Sequence, residues 1–486
     1  MKTQRISVIV NNQPGILAQV SQLFSQSGLN IDALTVGTYK KMHTSKMKIS
    51  LRSEPNVLER VIGQLNDLVD VLHVKVARPV PSGNAMSGKL SMLFSKRSVA
   101  FWLVAYSLCI TLLGTNIPSP LLAVYRAQWH LSPSMVTLLF AIYAVVVIPT
   151  IIISGQLSDQ LGRKKLLIPG VFFIIIGSIV FALSTNFTML LIARICQGIS
   201  VGMMNGVAVA ALTELDEKKN RIKAAFVGSM AVTVGNALGP VLSGALGEYA
   251  PFPLQLAYFF HMILAIPGFI GLFYLSEKVK RPAAIRVHRS AVPRAIIGRF
   301  YLSGMTSFIA WSIMSLMLSI IPSYTDQLVG STNLAVAGAI VALVLSISTI
   351  SQIVLKRLTL QRLSIVGFIL MIAGLASLIA VLETKSLFFL FLTTVLIGFG
   401  HGPAFAGSLA LTNQISPDES RGDIIASFYV LTYLGVSLPI LGLGIVAHWM
   451  GLNGAILLYV LLMTLMMLAG IAFWLADRRH EQKIEQ

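Results

Sequence analysis

The sequence predicts a mostly α membrane protein of twelve helices in two six-helix repeats, preceded by a small α+β ferredoxin-like βαββαβ domain. Three observations carry this prediction: the hydropathy of residues 97–476, an internal repeat of 200 residues, and the soluble pattern of the first 78 residues.

Of the 486 residues 55% are hydrophobic and 12% charged, and mean hydropathy is +0.79. A soluble domain carries about 25% charged residues, so most of this chain is built for an apolar solvent. A helix of about 20 apolar residues crosses the hydrocarbon core. Such stretches fall near 99–119, 134–154, 166–184, 188–211, 224–247, 254–275, 300–322, 333–355, 363–382, 386–411, 424–447 and 453–475. An even count puts both termini on one side. Twenty-four Lys and Arg of the membrane region lie on that side, among them Arg163, Lys164 and Lys165, against Arg126 and Lys385 opposite. Basic loops face the cytoplasm, so a multi-pass protein of the cell (inner, cytoplasmic) membrane with both termini cytoplasmic is expected. This asymmetry accounts for the net charge of +18 without a nucleic-acid partner. Cys109 and Cys196 both fall in apolar stretches, which argues against a disulfide framework. No pattern of metal ligands, phosphate loop or nucleophile–base pair is present, so neither an enzyme nor a cofactor is expected.

The two halves repeat. A shift of 200 aligns Gly198 with Gly398, Gly202 with Gly402, Arg221 with Arg421, Gly235 with Gly435, Leu238 with Leu438 and Gly244 with Gly444. Repeated halves are characteristic of transporters, whose substrate site lies between them near the midplane. The expected organisation is a soluble domain (1–78), a Pro- and Gly-containing linker (79–96) and a first half (97–276). A cytoplasmic connecting loop (277–299), a second half (300–476) and a cytoplasmic tail (477–486) follow.

Between the second and third spans stands Gly155-Gln-Leu-Ser-Asp159-Gln-Leu-Gly162-Arg163-Lys164-Lys165. Gly155 and Gly162 suit close backbone approach and a sharp turn, Asp159 is an acceptor beside helix ends, and the basic run anchors the cytoplasmic surface. The fourth span carries Leu190-Leu-Ile-Ala-Arg194-Ile-Cys-Gln197-Gly198, and the fifth carries Gly235-Asn-Ala-Leu-Gly239-Pro240-Val-Leu-Ser243-Gly244. Small residues there allow tight packing, and Pro240 is expected to bend the helix. These three stretches resemble the signature loop and the drug:proton antiporter motifs of the major facilitator superfamily, over about residues 97–476. The resemblance implies the twelve-helix major facilitator fold and secondary transport. Ser243 stands where the family motif has a glycine, and the second-half loop at Lys356–Arg362 lacks the Gly/Asp pattern.

Within the spans, Arg194 is the leading functional residue, because a charge in hydrocarbon is costly; the competing reading is an arginine reaching to the outer surface. His401, near the middle of the tenth span, reads either as a group reaching substrate or a proton, or as a hydrogen-bonded structural histidine. His261 reads as structural. None of the 19 carboxylates is central to a span. Relatives exporting cationic drugs often carry one in the first span, so a neutral or anionic solute is favoured here. Proton coupling would rest on Arg194 with Glu214, Asp159 or Glu248, or on a histidine.

In the soluble part, Arg5-Ile-Ser-Val-Ile-Val10 alternates as a strand, and Ile16, Leu17, Val20, Leu23 and Phe24 form a helical stripe. Strands follow near 31–38 and 45–52, then a helix through Val57, Leu58, Val61, Ile62, Leu65 and Leu68, then a strand near 70–76. Through Asn12-Gln-Pro-Gly15-Ile16-Leu, Leu23-Phe-Ser-Gln, Gly28-Leu-Asn30-Ile and Leu68-Val-Asp-Val-Leu72, the domain resembles the ACT domain of the acetolactate synthase regulatory (small) subunit. That resemblance implies paired domains binding a valine-type effector, with Asn12, Gly15, Ile16 and Asn30 at the amino-acid site. A helix N-terminus does offer free N–H groups to a carboxylate.

The reading is a secondary active transporter for efflux of a small organic solute (drug-like compound, amino acid or metabolite). It is proton-coupled or, as the alternative, facilitative, and modulated by a branched-chain amino acid at the ACT domain. Expected partners are the solute, protons, membrane lipid, and either a second ACT domain or the acetolactate synthase catalytic subunit. The alternative is a membrane-tethered regulatory subunit of that synthase, arising by gene fusion. The gating and transport residues are Gly155, Asp159, Gly162, Arg163, Arg194, Glu214, Gly239, Pro240 and His401.

Overall fold

The computed structural model describes residues 2–39, 41–53, 55–77, 97–216, 220–275, 292–417 and 421–484. The expected linker at 79–96 and most of the connecting loop lie outside the described residues. The chain forms two compact units, Met1–Lys89 and Leu90–Gln486.

The first unit runs β1 (Lys2–Asn11), α1 (Ile16–Gln26), β2 (Ile31–Tyr39), β3 (Lys41–Ser53), α2 (Pro55–Asn66) and β4 (Val71–Ala77). Its antiparallel sheet has the order β2-β3-β1-β4. Alternation puts Ile6, Val8 and Val10 of β1, with Met47, Ile49 and Leu51 of β3, on one face. Ile16, Val20 and Phe24 of α1 and Leu58, Val61 and Leu65 of α2 complete that core.

The second unit is helical. Its first span is Arg97–Asn116, continued after a one-residue break by Pro118–Trp129. The second to sixth spans are Pro133–Leu161, Lys164–Ala182, Phe187–Leu215, Arg221–Tyr249 and Leu256–Phe273. The seventh is Ile297–Ser323, extended by Thr325–Val329, and the eighth to tenth are Leu334–Val354, Leu360–Thr384 and Leu387–Ile415. The eleventh and twelfth form one continuous stretch, Arg421–Ile484, broken at Gly451 with φ 73°. Among the described residues eleven helices are long and apolar enough to span a membrane, and the break at Gly451 makes the last of them two.

Several spans exceed the expected lengths because polar residues continue the helix beyond the apolar window. The second runs on through Gly155 to Leu161, so the signature segment is mostly helix and only Gly162 and Arg163 turn the chain. Large apolar residues such as Ile263, Phe391 and Leu461 face outward, while serines and threonines lie inside. That distribution suits a lipid solvent. Ser303 pairs with Thr412 at 2.8 Å and Ser307 with Thr432 at 2.7 Å, joining the seventh span to the tenth and eleventh.

The repeat is visible in packing. Gly198 lies against the Tyr143 carbonyl of the second span, and Gly398 against the Val344 carbonyl of the eighth. Gly235 meets the Cys109 carbonyl of the first span, and Gly435 meets that of Phe308 in the seventh. Between halves, a Cβ on Gly338 would sit 2.2 Å from the Pro240 carbonyl oxygen, so only glycine permits this approach of the eighth span to the fifth. Leu238 and Leu438, by contrast, are exposed and match merely as outward-facing residues.

Interhalf contacts gather at the end of the bundle where the first span gives way to the second and the seventh to the eighth. Arg126 holds both carboxylate oxygens of Asp326, at 2.6 and 2.7 Å, donates from Nε to the Ser323 carbonyl at 2.9 Å, and lies 4.4 Å above the Tyr324 ring. Ser119 donates to the Leu318 carbonyl and Ser134 to that of Gly444 (2.7 Å). Glu248 accepts the Leu334 N–H at 2.8 Å, at the start of the eighth span. A cavity of about 370 Å³ lined by Arg126, Glu248, Asp326 and Asn333 lies among these contacts.

A partly buried Arg–carboxylate pair in which Nη2 reaches both oxygens, backed by the Nε bond to Ser323, contributes on the order of 1–2 kcal/mol, and 1.4 kcal/mol is about tenfold in an equilibrium. We therefore expect Arg126→Ala or Asp326→Ala to raise the maleimide labelling rate of Ala337→Cys about tenfold, in a background without Cys109 and Cys196. The exchanged pair Arg126→Asp/Asp326→Arg should return the rate towards its starting value. Unchanged labelling in both single variants would show that the pair does not hold this end shut.

Candidate functional site

Arg194 is buried, 4% exposed, and does not reach the outer surface. Its Nε donates to the Leu139 carbonyl of the second span (2.8 Å), and Nη1 donates to the Thr115 carbonyl of the first (3.1 Å) and to Gln197 Oε1 (2.8 Å). The Tyr143 and Phe140 rings lie at 4.9 and 5.7 Å from the guanidinium. The reason for this cluster lies in the first span. Pro118 has no N–H, so the Gly114 carbonyl four residues earlier loses its helical partner. Gln197 Nε2 supplies one at 3.0 Å. Arg194 and Gln197, three residues apart on one face, thus tie the first, second and fourth spans together. Of the three carboxylates proposed from sequence to work with Arg194, Glu214 pairs with Arg163 and Glu248 caps the eighth span, while the side chain of Asp159 lies outside those described.

Around the signature segment, Arg163 Nε donates to Glu214 Oε1 at 3.1 Å, and Nη1 donates to Ser158 Oγ at 2.5 Å. Two residues selected separately from sequence are thus brought together, linking the turn to the end of the fourth span. Gly162 has φ 101°, a conformation suited to glycine at a helix end. Gly155 differs from expectation: a Cβ there would meet nothing within 4 Å, so no close approach explains it. Asp159 belongs to the second-span helix, and its side chain lies outside those described. In the fifth span, a Cβ on Gly239 would lie 2.4 Å from the Leu113 carbonyl oxygen, while the Pro240 carbonyl faces Gly338. This span is therefore clamped between the first span of its own half and the eighth of the other. Ser243 folds its hydroxyl back onto the Gly239 carbonyl at 3.0 Å, which lets it stand in a glycine position.

The two span histidines differ. His261 uses both nitrogens, Nδ1 with Ser178 Oγ (2.8 Å) and Nε2 with the Ile110 carbonyl (3.1 Å), as a structural histidine would. His401 places Nδ1 2.8 Å from Ser348 Oγ, while Nε2 is buried without a partner. Trp311 meets its ring edge-on at a centroid separation of 4.9 Å.

In the small unit, Asn12, Gly15 and Ile16 share the turn from β1 into α1, and Asn30 precedes β2. Gly15 has φ 92° at the helix N-cap. Asn12, Gly15 and Asn30 are exposed, and Asn12 Oδ1 accepts the Ser45 hydroxyl at 2.9 Å. Ile16 departs from a ligand-contacting side chain, since it is buried in the core and can offer only backbone.

Sequence reading overlooked the partnership of Arg126 with Asp326, although the two stand 200 residues apart, at the repeat offset. It also passed over Trp311 and Ser348, which no motif marks.

Comparison with known proteins agrees with this architecture. Residues 104–438 match the Major Facilitator Superfamily model, and residues 6–73 match the AHAS small subunit-like ACT domain. Multidrug resistance protein 2 of Bacillus subtilis (strain 168) is 26% identical over 186 residues, 38% of this chain and 46% of that protein. The probable acetolactate synthase small subunit of Archaeoglobus fulgidus is 45% identical over 69 residues, 14% of this chain and 43% of that protein. The chain thus spans less than half the length of each of these relatives. A bacterial homologue of the human lysosomal transporter Spinster, solved in an inward-facing and occupied conformation, superposes with TM-score 0.60 at 16% identity. That match covers 79% of this chain and 97% of the other. With its family model matched over most of the chain, this protein belongs to the major facilitator superfamily of membrane transporters and carries an acetolactate synthase small subunit-like ACT domain at its N-terminus.

Proposed function

We propose that the chain is a secondary active transporter of the cytoplasmic membrane that exports a small neutral or anionic organic solute in exchange for protons. The observation that carries this reading is the interhalf cluster around Arg126 and Asp326, in which breakable polar contacts join the halves at one end of the bundle. A bundle that alternates access needs such an end. The excess of Lys and Arg on the other side supports a cytoplasmic location for both termini. The absence of a carboxylate in mid-span supports a solute without positive charge. Resemblance to a protein named for multidrug resistance supports export of drug-like compounds. Glu214 and Glu248 being engaged elsewhere, His401 is the group nearest mid-span that could carry a proton.

Gly155, Asp159, Gly162, Arg163 and Glu214 form the cytoplasmic hinge in this scheme, Gly239 and Pro240 the bearing between halves, and Arg194 the brace of the first half. The ACT domain is a sensor for a branched-chain amino acid. The first-turn N–H groups of α1 and the exposed Asn12 and Asn30 would hold its carboxylate and ammonium. The exposed Leu34 and Val36 on the edge strand β2 suit pairing with a second ACT domain. A second reading, a membrane-tethered subunit that binds the acetolactate synthase catalytic subunit, is favoured by the 45% identity to a synthase small subunit. Co-purification of the synthase without solute flux in proteoliposomes would select it over transport.

Arg194→Lys keeps the charge but not the three-directional hydrogen bonding. It should lower proton-driven efflux at least tenfold while leaving the amount of folded protein in the membrane unchanged. Efflux assays with size-exclusion profiles check both, and full activity would reduce Arg194 to a replaceable filler. For the sensor, titration calorimetry of residues 1–89 should show heat for at least one of valine, leucine and isoleucine, and Asn12→Ala should abolish it. In the full chain, the same amino acid should change the efflux rate, and deletion of residues 1–91 should remove that response. No heat with any of the three amino acids would remove the sensing role.

A further inference from the structure

We infer that His401 and Trp311 form a recognition point for the transported solute, one that takes acceptor oxygens of a flat, neutral or anionic compound. It rests on the transporter reading above and deepens it. In a protein interior inside hydrocarbon, a polar atom without a partner is costly. Here two such atoms lie together. His401 Nε2 in the tenth span and Trp311 Nε1 in the seventh are both buried and unpartnered, on rings 4.9 Å apart that meet at 89°. The fold does not require either side chain: at the repeat offset the first half has Val201 and Thr111. Nor is a buried histidine here bound to leave a nitrogen unused, since His261 satisfies both.

The chemistry of the pair limits what can bind. An indole N–H only donates, so the partner must bring an acceptor. The hydroxyl of Ser348, 2.8 Å from His401 Nδ1, can donate to it, leaving Nε2–H as a second donor beside the first. Phe405, one turn further along the tenth span, stacks on His401 at 6.0 Å and meets Trp311 edge-on at 5.6 Å. Trp311 and Phe405 are partly exposed while His401 lies behind them. A ligand must therefore displace or slide along these two rings, which favours a flat aromatic body. The carboxylates of the chain stand at span ends and in loops, so a cation has no counter-charge in mid-span.

The test uses the purified full chain and two fluorescent probes of similar shape. Fluorescein is an anion with carboxylate and carbonyl oxygens, and ethidium is a cation without an acceptor oxygen. Trp311→Phe and His401→Ala should each weaken fluorescein binding, read by anisotropy, at least tenfold and leave ethidium affinity as in the parent. His401→Gln, which restores an N–H donor, should recover binding to within about threefold, and thermal unfolding of every variant confirms that it is folded. Unaltered fluorescein affinity in both variants overturns the inference, as does the parent chain failing to bind fluorescein at about 1 mM. Loss of binding in variants of a chain that moves no fluorescein across proteoliposomes would sink the transport reading and leave the recognition point standing. Flux indifferent to both substitutions would do the reverse.

Discussion

Inside a bilayer a polar atom finds no water, and the transporter unit is organised around that constraint. Serine and threonine hydroxyls mostly fold back onto the carbonyl one turn earlier, as Thr111 does on Ser107 and Thr115 on Thr111, both at 2.8 Å. The more demanding case is the break in the first span. Pro118 strips the Gly114 carbonyl of its partner, and a two-residue device on the fourth span, Arg194 with Gln197, repairs the loss. The guanidinium that this device buries is itself surrounded by carbonyls and aromatic faces. Its charge is tolerated because it is distributed over a planar group with several donors. The same accounting makes His401 and Trp311 conspicuous.

The internal repeat explains which contacts are shared and which are private. Glycine positions recur because backbone approach recurs: the fifth span on the first, the eleventh on the seventh. The buried arginine does not recur. Thr394 stands at the offset from Arg194, and its hydroxyl returns to the Leu390 carbonyl at 2.7 Å. No proline stands at residue 318, the offset from Pro118, so no carbonyl there requires an arginine's help. Duplicated backbone geometry with unduplicated polar groups gives a symmetric scaffold carrying an asymmetric interior. Arg126 and Asp326 are the instructive exception. Two charged residues related by the repeat can touch favourably only if their charges are opposite, as they are here.

Much of this was legible in the residues, for physical reasons. Hydropathy over 20-residue windows reports the solvent directly, so spans 134–154 or 363–382 were found within a helix turn or two of their ends. Period-two and helical stripes did the same for most of the small domain's core, although Leu17 of the first stripe is exposed. Helix ends were less legible, because the second span continues through polar residues that hydropathy counts as loop. Gly155 misled for the same reason, since a glycine in a helix carries no signal of what lies beside it. Partners were the least legible. The pairing of Glu214 with Arg163, and not with Arg194, depends on the depth at which each side chain lies along its helix. An orphaned nitrogen on His401 is likewise a property of its surroundings, not of its type.

The contacts that join spans within a half differ in kind from those that join the halves, and that difference is what a rocking bundle requires. Within the first half, spans are fixed by bonds that would be expensive to break in hydrocarbon, such as those of Arg194 and His261. Between halves, about a turn inward from the Arg126 end, the bearing surfaces are the glycines of the fifth and eighth spans. They lack side chains to interdigitate and so resist tilting little. The charged link is placed elsewhere. Arg126 and Asp326 have side chains 15% and 36% exposed, so water can take over their hydrogen bonds as they part. An ion pair of equal geometry at mid-span would hold the halves more tightly, but separating it would strand two charges in a medium unable to solvate them. The position of the pair at a wet end thus allows one contact to be both specific and reversible.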